Sequence, residues 1–310
     1  MIKRTLYFGN PAYLKTSNEQ LVITLPELKS GLNESDRSTS IPIEDIGILI
    51  LDHQQITISQ ALIAKLLANN VAFITCDSSH HPTGLMLNLD GNTLQAERYT
   101  TQINASVPLK KQLWAQTIEQ KISNQAVILR QQNQGNHLHL MALSQQVRSG
   151  DPDNMEGRAA AYYWKHIFGE DKAFLRDREG TPPNHLLNYG YSLIRAGIAR
   201  ALVGSGLIAT LGIHHRNKYN AYCLADDIME PYRPIVDNIV CRMLKAGQVQ
   251  EEITKDNKQT LLQIFTHDVL LDGEKSPLLI AMQRTTASLV KCFEGTQRKI
   301  LYPEIINLEG

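Results

Sequence analysis

The sequence lacks paired cysteine motifs, long apolar runs and an excess of charge of either sign. Its four cysteines lie far apart in the chain, at Cys76, Cys223, Cys241 and Cys292, so we predict reduced and mostly buried thiols in a cytoplasmic protein. No signal-peptide core is present and no apolar run reaches about 18 residues, so no membrane span is expected. Because the formal net charge is zero, any basic surface for nucleic acid must be local.

Repeats, low-complexity tracts and a convincing Ser-His-Asp or Cys-His set are also missing. The absence of such a set argues against covalent catalysis by the protein's own nucleophile. What remains is an ordinary globular composition of 310 residues, 43% hydrophobic and 20% charged. A chain of this length can bury a sizeable core and hold two domains.

The first ninety residues are β-rich in pattern. Short apolar segments alternate with turn-forming residues, and IGILIL at 46–51 is typical of a buried strand. Ser59 is expected to cap a helix, and 29–40 is expected to be a loop or hairpin tip. The predicted strands are 4–8, 13–16, 20–24, 46–51, 71–75 and 85–89. This domain carries no phosphate-binding glycine loop, so we expect it to serve packing and pairing.

Beyond the Asp90-Gly91-Asn92 turn the pattern becomes helical. We predict helices over 107–131, 137–147, 184–203, 255–265 and 276–293, and one from Asp153 or Asn154 through Trp164. The fold class is therefore α+β, with a small β-rich domain at 1–90 and a larger all-α domain at 91–310. The pattern assigns no structure to the tail from 297 to 310.

Residues 211–240 contain many titratable side chains. Apolar residues recur among them at three- and four-residue steps, which is the spacing of one helix face. On a helix, Asp226 or Asp227 could meet Glu230 on one face. Such carboxylates repel each other unless they share a cation or a proton, and a hard divalent metal is one cation that fits, since Mg²⁺ and Mn²⁺ prefer oxygen ligands. An acidic helix start is the alternative. The His80-His81 pair, in a loop, indicates a surface turn rather than a metal site.

Three segments in order carry a family resemblance: MEGRAAAYYW at 155–164, LGIHHRN at 211–217 and LADDIMEPYRPIVD at 224–237. Together they resemble the larger of the two universal CRISPR adaptation proteins, a metal-dependent DNA integrase, and most of all its type II branch. The resemblance covers nearly the whole chain. It implies endonuclease and integrase activity, in which a 3′-hydroxyl attacks a phosphodiester.

The resemblance also implies the ligands of one divalent ion, Mg²⁺ or Mn²⁺. These are Glu156, His215 and Glu230, with Asp226 and Asp227 as further acids that could contact the ion. Glu156 could instead serve as a capping-box carboxylate. His214 is interpreted as a packing or phosphate-contact residue.

The resemblance further implies a homodimer, paired through the β-rich domain, that docks on a small dimeric second adaptation protein and binds double-stranded prespacer and repeat DNA. Phosphate contacts are expected from residues near the three segments: Arg158, Arg216, Lys218 and Arg233, and with less support Arg195 and Arg200. Tyr162, Tyr163 and Trp164 could stack on bases or belong to the core. The rival functions are a metal-dependent nuclease without integration and a non-enzymatic DNA-binding scaffold.

Overall fold

The computed structural model describes residues 3–26, 38–78, 80–133, 135–169, 174–177 and 179–306. They divide into two units, Met1–Thr93 and Leu94–Gly310. In the described residues the first contains eight strands and one α-helix, and the second is mostly helical. The predicted α+β class is therefore confirmed. None of the helices within the described ranges is long and apolar enough to cross a membrane.

The first unit contains two four-stranded sheets. The strands are β1 (Arg4–Phe8), β2 (Ala12–Ser17), β3 (Gln20–Thr24), β4 (Ser38–Pro42), β5 (Ile46–Leu51), β6 (Ile56–Ile58), β7 (Ala72–Cys76) and β8 (Pro82–Met86). One sheet has the order β1-β5-β7-β8 and the other the order β4-β3-β2-β6. In the first sheet β1, β5 and β7 run parallel, and β8 is antiparallel to β7.

Apolar side chains from the strands of both sheets pack into one shared core. The predicted hairpin is formed by β2 and β3, with Tyr13 opposite Thr24. Every residue of β5 except Leu51 is buried, as its uninterrupted apolar run predicts. Helix α1 (Gln60–Ala68) begins after Ser59, whose side chain caps it as predicted. Leu62 and Leu66 of α1 join strand residues from both sheets in this core.

The first unit also departs from the sequence prediction in three places. The last strand lies at Pro82–Met86, not at 85–89, and neither β4 nor β6 was predicted. β6 is only three residues long and β4 is mostly exposed, so neither carries a clear apolar period. Most of the predicted 29–40 loop lies outside the described residues.

The second unit is built around one long helix, α3. Ser106 caps α3, and Pro108 lies in its first turn as predicted. The helices are α2 (Gln95–Ile103), α3 (Val107–Gln132), α4 (His137–Ser144), α5 (Met155–His166), α6 (Asn184–Gly204), α7 (Cys223–Met229), α8 (Arg233–Lys245), α9 (Lys255–Leu262) and α10 (Leu278–Phe293).

The sequence pattern predicted an all-α second domain, and this prediction is wrong in one place. Strands β9 (Asp268–Leu271) and β10 (Glu274–Pro277) form an antiparallel hairpin, and α10 therefore begins at Leu278 rather than at Ser276. Asp272 and Gly273 both have positive φ, the conformation that a tight hairpin turn requires.

The sequence pattern left the tail from 297 to 310 unassigned, and its described part, up to residue 306, contacts α3. The Tyr302 hydroxyl lies 2.7 Å from the Thr117 hydroxyl, and Asn124 Nδ2 donates to the Pro303 carbonyl at 2.9 Å. Leu270 and Glu304 form an isolated bridge. These contacts are polar and non-local, so no local pattern of residues indicated them.

The cysteines behave as predicted. All four are free, and Cys223, Cys241 and Cys292 are buried. Burial raises the pKa of the Cys292 thiol to about 11, which makes it an inert, protonated thiol at neutral pH.

Candidate active site

Glu156 lies in the first turn of α5, and other residues cap that helix. Asn154 is the N-cap, with left-handed backbone geometry, and its side chain accepts from the Gly157 N–H. The Asp151 carboxylate accepts from the Met155 and Glu156 N–H groups at 2.8 and 3.0 Å. The Glu156 carboxylate therefore does not serve as a cap and has another partner.

Glu230 lies in the 3₁₀ turn between α7 and α8, and its side chain is only 4% exposed. Its Oε2 lies 2.6 Å from Lys121 Nζ, and its Oε1 lies 3.0 Å from Arg233 Nη2. Burial alone would raise the pKa of Glu230, but Arg233 and Lys121 outweigh it and leave the pKa below its ordinary value. Glu230 is therefore a buried carboxylate that stays ionised.

Lys121 connects the two glutamates. Its Nζ lies 2.6 Å from Glu156 Oε1 as well as 2.6 Å from Glu230 Oε2, so those two oxygens are at most twice that distance apart. Burial alone would lower the pKa of Lys121, but the Glu230 and Glu156 carboxylates outweigh it and raise the pKa above its ordinary value. A charged ammonium therefore lies between two carboxylates that come from separate elements.

Asp227 fixes His215 from the other side. The His215 Nδ1–H donates to Asp227 Oδ1 at 2.5 Å, and the same carboxylate accepts from the His214 and His215 backbone N–H groups at 2.9 and 3.2 Å. A Cβ on Gly212 would lie 2.7 Å from Asp227 Oδ2, so the loop wraps closely around this acid. Because Asp227 engages Nδ1, the lone pair of neutral His215 is on Nε2.

Trp114 of α3 supports both histidines. Its ring stacks on His214 with centroids 4.1 Å apart, and His215 meets it edge-on at 5.5 Å. Burial lowers the pKa of His214, whereas the hydrogen bond to Asp227 is the main cause that raises the pKa of His215. The pKa values of the two adjacent imidazoles are therefore shifted in opposite directions. The stacking on Trp114 is consistent with a packing role for His214, and a phosphate contact stays a prediction because this residue is exposed.

Asp226 belongs to a separate network from its neighbour Asp227. Its Oδ1 accepts from Arg195 Nε and its Oδ2 from Asn220 Nδ2, both at 2.6 Å. Among the described residues, Asp226, Asp227 and Glu230 share no hydrogen-bond or ion-pair partner: Asp226 binds Arg195 and Asn220, Asp227 binds the His214-His215 loop, and Glu230 binds Lys121 and Arg233. The spacing that an ideal helix allows therefore does not bring the two aspartates to the partners of Glu230.

A buried cluster ties together the helices that carry these groups. Asp237 of α8 accepts from the Tyr163 hydroxyl of α5 at 3.0 Å and from the Tyr191 hydroxyl of α6. Burial raises the pKa of Asp237 to about 7. Tyr163 is thus a core residue rather than a base-stacking one, and it fixes α5, the helix whose first turn carries Glu156.

The donor set suits a hard divalent cation. Glu156 and Glu230 supply carboxylates, and His215 can present Nε2 while Asp227 holds Nδ1, the arrangement typical of a metal-binding histidine. Glu230 Oε2 is buried and has no hydrogen bond of ordinary geometry. Both glutamates also raise the pKa of His215, which indicates that they lie near it.

In the described part of the chain, however, no group of three or more His, Cys, Asp or Glu side chains is already arranged to hold a metal ion. Between Glu156 and Glu230 the cation is the Lys121 ammonium. The residue types therefore fit a metal, provided that this ammonium can leave.

The predicted phosphate-contact residues fall into two groups. Arg158, Arg216 and Lys218 are exposed, and their contacts to phosphate stay a prediction. Arg233 pairs with Glu230 and lies 5.0 Å from the Tyr191 ring centre, so much of its guanidinium is engaged. Arg200 is 1% exposed, and the prediction that it contacts phosphate is wrong because its side chain is inside the core.

Sequence reasoning missed Lys121 and Trp114. Both lie on α3, seven residues apart, and Asn124 follows three residues later on the same face. Asn124 Nδ2 donates to the Pro231 carbonyl beside Glu230 at 2.7 Å. The available signal was the recurrence of Trp114, Lys121 and Asn124 at the spacing of one helix face, the face that α3 buries.

The His80-His81 loop gathers no second metal-ligand pair among the described residues. His80 Nδ1 lies 2.8 Å from Oδ1 of the buried Asp52, and the Tyr7 hydroxyl donates to Asp52 Oδ2 at 2.5 Å. The position of the His80 ring is therefore explained by its hydrogen bond to Asp52 within the first unit.

Comparison with known proteins adds family information to this geometry. A family model described as CRISPR associated protein Cas1 matches residues 6–272. The chain is 32% identical over 313 residues to the CRISPR-associated endonuclease Cas1 of Neisseria meningitidis serogroup C, covering 100% of this chain and 98% of the relative.

Solved structures with low sequence identity share the fold. A casposase bound to integration product superposes with a TM-score of 0.76 at 20% identity, covering 97% of this chain and 92% of that one. A chain of a Cas6-RT-Cas1–Cas2 complex gives a TM-score of 0.70 at 19% identity, covering 96% of this chain and 36% of that one.

Proposed function

This chain belongs to the CRISPR-associated Cas1 family, and we propose that it is a metal-dependent DNA endonuclease and integrase of CRISPR adaptation. The observation that carries the proposal is that Glu156 and Glu230 both contact the same cation, the Lys121 ammonium. His215, whose Nδ1 is hydrogen-bonded to the buried Asp227, lies near them. The Neisseria relative, an endonuclease by name, is consistent with the type II branch.

In the proposed site Glu156, Glu230 and His215 hold Mg²⁺ or Mn²⁺. When bound, the ion would supply Lewis-acid stabilisation of the charge that develops on the phosphoryl oxygens during transesterification. Asp227 would act through His215, keeping its Nε2 free of a proton on the ligand side. Asp226 is assigned no contact with the ion, because Arg195 and Asn220 engage both of its oxygens.

The remaining residues of the site would position DNA. Arg158, Arg216 and Lys218 are exposed near the motifs that carry Glu156 and His215, and their charges would hold phosphates in place. The attacking group would be the 3′-hydroxyl of the prespacer and the leaving group the 3′-oxygen of the repeat strand. No covalent intermediate on the protein is required.

A strand-joining assay tests the activity. Supercoiled plasmid carrying a repeat, incubated with a short duplex that has free 3′-hydroxyls and with Mn²⁺ or Mg²⁺, is expected to give covalent plasmid–duplex products. A duplex with 3′-dideoxy ends is the control and should give none, because the attacking oxygen is missing. Nicking without joining would indicate a nuclease only, and neither product would indicate a scaffold. Chelation by EDTA should stop the reaction.

The same assay tests the proposed partner. The Cas1–Cas2 assembly among the similar structures supports docking on a small dimeric second adaptation protein. Adding that protein is therefore expected to increase joining at the repeat, because it would hold the two prespacer ends apart at a fixed distance. Equal joining with and without it would argue against the docking.

We further propose a homodimer paired through the first unit. In that unit β4 and β6 are the two edge strands of one sheet, edge strands are commonly covered by pairing, and the inner strand β2 exposes Tyr13 on a face of the same sheet. Light scattering at micromolar concentration should give twice the 34.8 kDa chain mass. Tyr13→Asp, at a side chain 54% exposed in the first unit, should lower that mass, whereas Leu138→Asp, at 64% exposure in the second unit, should not. A 34.8 kDa species for the wild type would contradict the proposal.

A further inference from the structure

The Lys121 ammonium occupies the position at which two glutamates would share a metal ion. Its side chain is 11% exposed, and its Nζ lies 2.6 Å from one oxygen of Glu156 and 2.6 Å from one oxygen of Glu230. The two carboxylates come from the start of α5 and the turn after α7, so they are brought together only by the fold. Without a cation between them they would repel each other at this separation.

We propose that Lys121 is a built-in cation that holds the two glutamates before metal binds, gives way to the divalent ion and thereby sets the metal affinity of the site. The inference rests on the proposed function, because it assumes that Glu156 and Glu230 are ligands. It concerns a positioning residue of this chain and assigns no step of the reaction to the ammonium.

Distances and charge explain why the ammonium and the ion exclude each other. Carboxylate oxygens bind Mg²⁺ at about 2.1 Å, so an ion shared by the same two oxygens would overlap the space that Nζ fills. A divalent ion and an ammonium at that spacing also repel strongly in a partly buried site. One of the two must therefore leave.

The side chain that leaves is the lysine. Lys121 has a flexible four-carbon stem, and Glu156 beside it is 27% exposed, so the position opens toward solvent. Arg233, the other cation on Glu230, is held against the Tyr191 ring and contacts the opposite oxygen, Oε1. Arg233 can therefore stay in place while Lys121 withdraws.

This role predicts opposite effects of one substitution with and without metal. Lys121→Met should lower the melting temperature of the metal-free protein, because two close carboxylates lose their shared counter-ion. The same variant should bind Mn²⁺ about tenfold more tightly than the wild type or better, because the ion no longer competes with a positive charge. If Lys121 instead orients the ligands of the bound ion, the variant would bind Mn²⁺ more weakly.

The test is calorimetric titration of Mn²⁺ into the full chain, together with thermal melts in EDTA and in Mn²⁺. Lys111→Met is the matched control, since it removes the same charge from an exposed position of the same helix and should change neither affinity nor melting. Lys121→Arg keeps the charge, but its planar guanidinium pairs more firmly with carboxylates. It should therefore bind Mn²⁺ at least about threefold more weakly than the wild type.

The order of Mn²⁺ affinity decides the outcome. The Lys121→Met variant is expected to bind most tightly, followed by the wild type and then by Lys121→Arg. A folded Lys121→Met variant that binds Mn²⁺ as tightly as the wild type, or more weakly, overturns the inference. If Lys121→Met does not fold, a Lys121→Arg variant with the Mn²⁺ affinity of the wild type overturns it. Absence of Mn²⁺ binding in every variant would overturn the proposed metal dependence together with this inference, whereas binding without the expected order overturns the inference alone.

Discussion

Replacing His215 by alanine is expected to reduce strand joining to below about one per cent of the wild-type rate, since loss of a supporting residue alone typically costs 10- to 100-fold. DNA binding should change by less than about twofold, because dispersed Lys and Arg contacts to phosphate carry it. The fold should survive, because His215 lies in a loop with its side chain 46% exposed. Joining and gel-shift assays at equal protein and salt measure the two effects.

His214→Ala is the matched control for this prediction. The His214 ring stacks on Trp114, so its loss should cost packing energy of about 0.5–1.5 kcal/mol and leave most of the joining activity. An inactive His214→Ala beside a normal His215→Ala would show that the ligand assignment is wrong. Wild-type joining by both variants would contradict the proposed mechanism itself.

The His215 assignment also has a pH signature. Only the neutral imidazole can bind a metal, and Asp227 raises the pKa of His215 above its ordinary value of 6.5. Protons should therefore compete with Mn²⁺ up to a higher pH than for an ordinary histidine. We expect the Mn²⁺ affinity to fall as the pH is lowered through this raised pKa, and titration calorimetry across about pH 5.5–8 would follow it.

Asp227→Asn is expected to have the second large effect. The buried carboxylate accepts three hydrogen bonds, from the backbone N–H groups of His214 and His215 and from the His215 ring. An amide presents NH₂ to one of these donors, so one buried group is left unsatisfied at a cost of about 1–3 kcal/mol. Loss of the group that orients His215 should weaken Mn²⁺ binding by about 10- to 100-fold.

Asp226→Asn is the matched control, an identical change one residue away. Its partners are Arg195 and Asn220, so it should disturb that ion pair and leave Mn²⁺ affinity close to that of the wild type. Equal losses of affinity in both variants would indicate a general destabilisation of α7 rather than a specific role for Asp227. Melting curves measured alongside calorimetry separate stability from affinity.

Asp227→Asn should also move the titration of His215. The hydrogen bond to Asp227 is the largest cause that raises the pKa of His215, so removing the charge should lower that pKa. Histidine NMR titrations of metal-free protein should show His215 titrating at a lower pH in the variant than in the wild type. An unchanged His215 pKa would contradict the arrangement described for this pair.

Local patterns of the sequence were enough for the strand at 46–51, the β2–β3 hairpin, the Ser59 cap and the long helix from residue 107. Each depends on apolar period, turn residues or a cap, which neighbouring residues specify. The three ordered motifs were likewise sufficient for the family. The strands β4 and β6 were not predicted, because β4 is mostly exposed and β6 is only three residues long, so neither shows a clear apolar period.

Only the tertiary structure decided which partner each site residue meets. Spacing allowed Asp226 or Asp227 to share a face with Glu230, yet the chain folds Asp227 against the His215 loop and Asp226 against Arg195. Lys121, distant in sequence from both glutamates, lies between them because α3 passes beside α5 and the turn before α8. The sequence alone determined the family, the class of fold and the candidate ligands, since these depend on local order. The cation between the ligands and the burial of Arg200 depend on how helices cross, which no local spacing specifies.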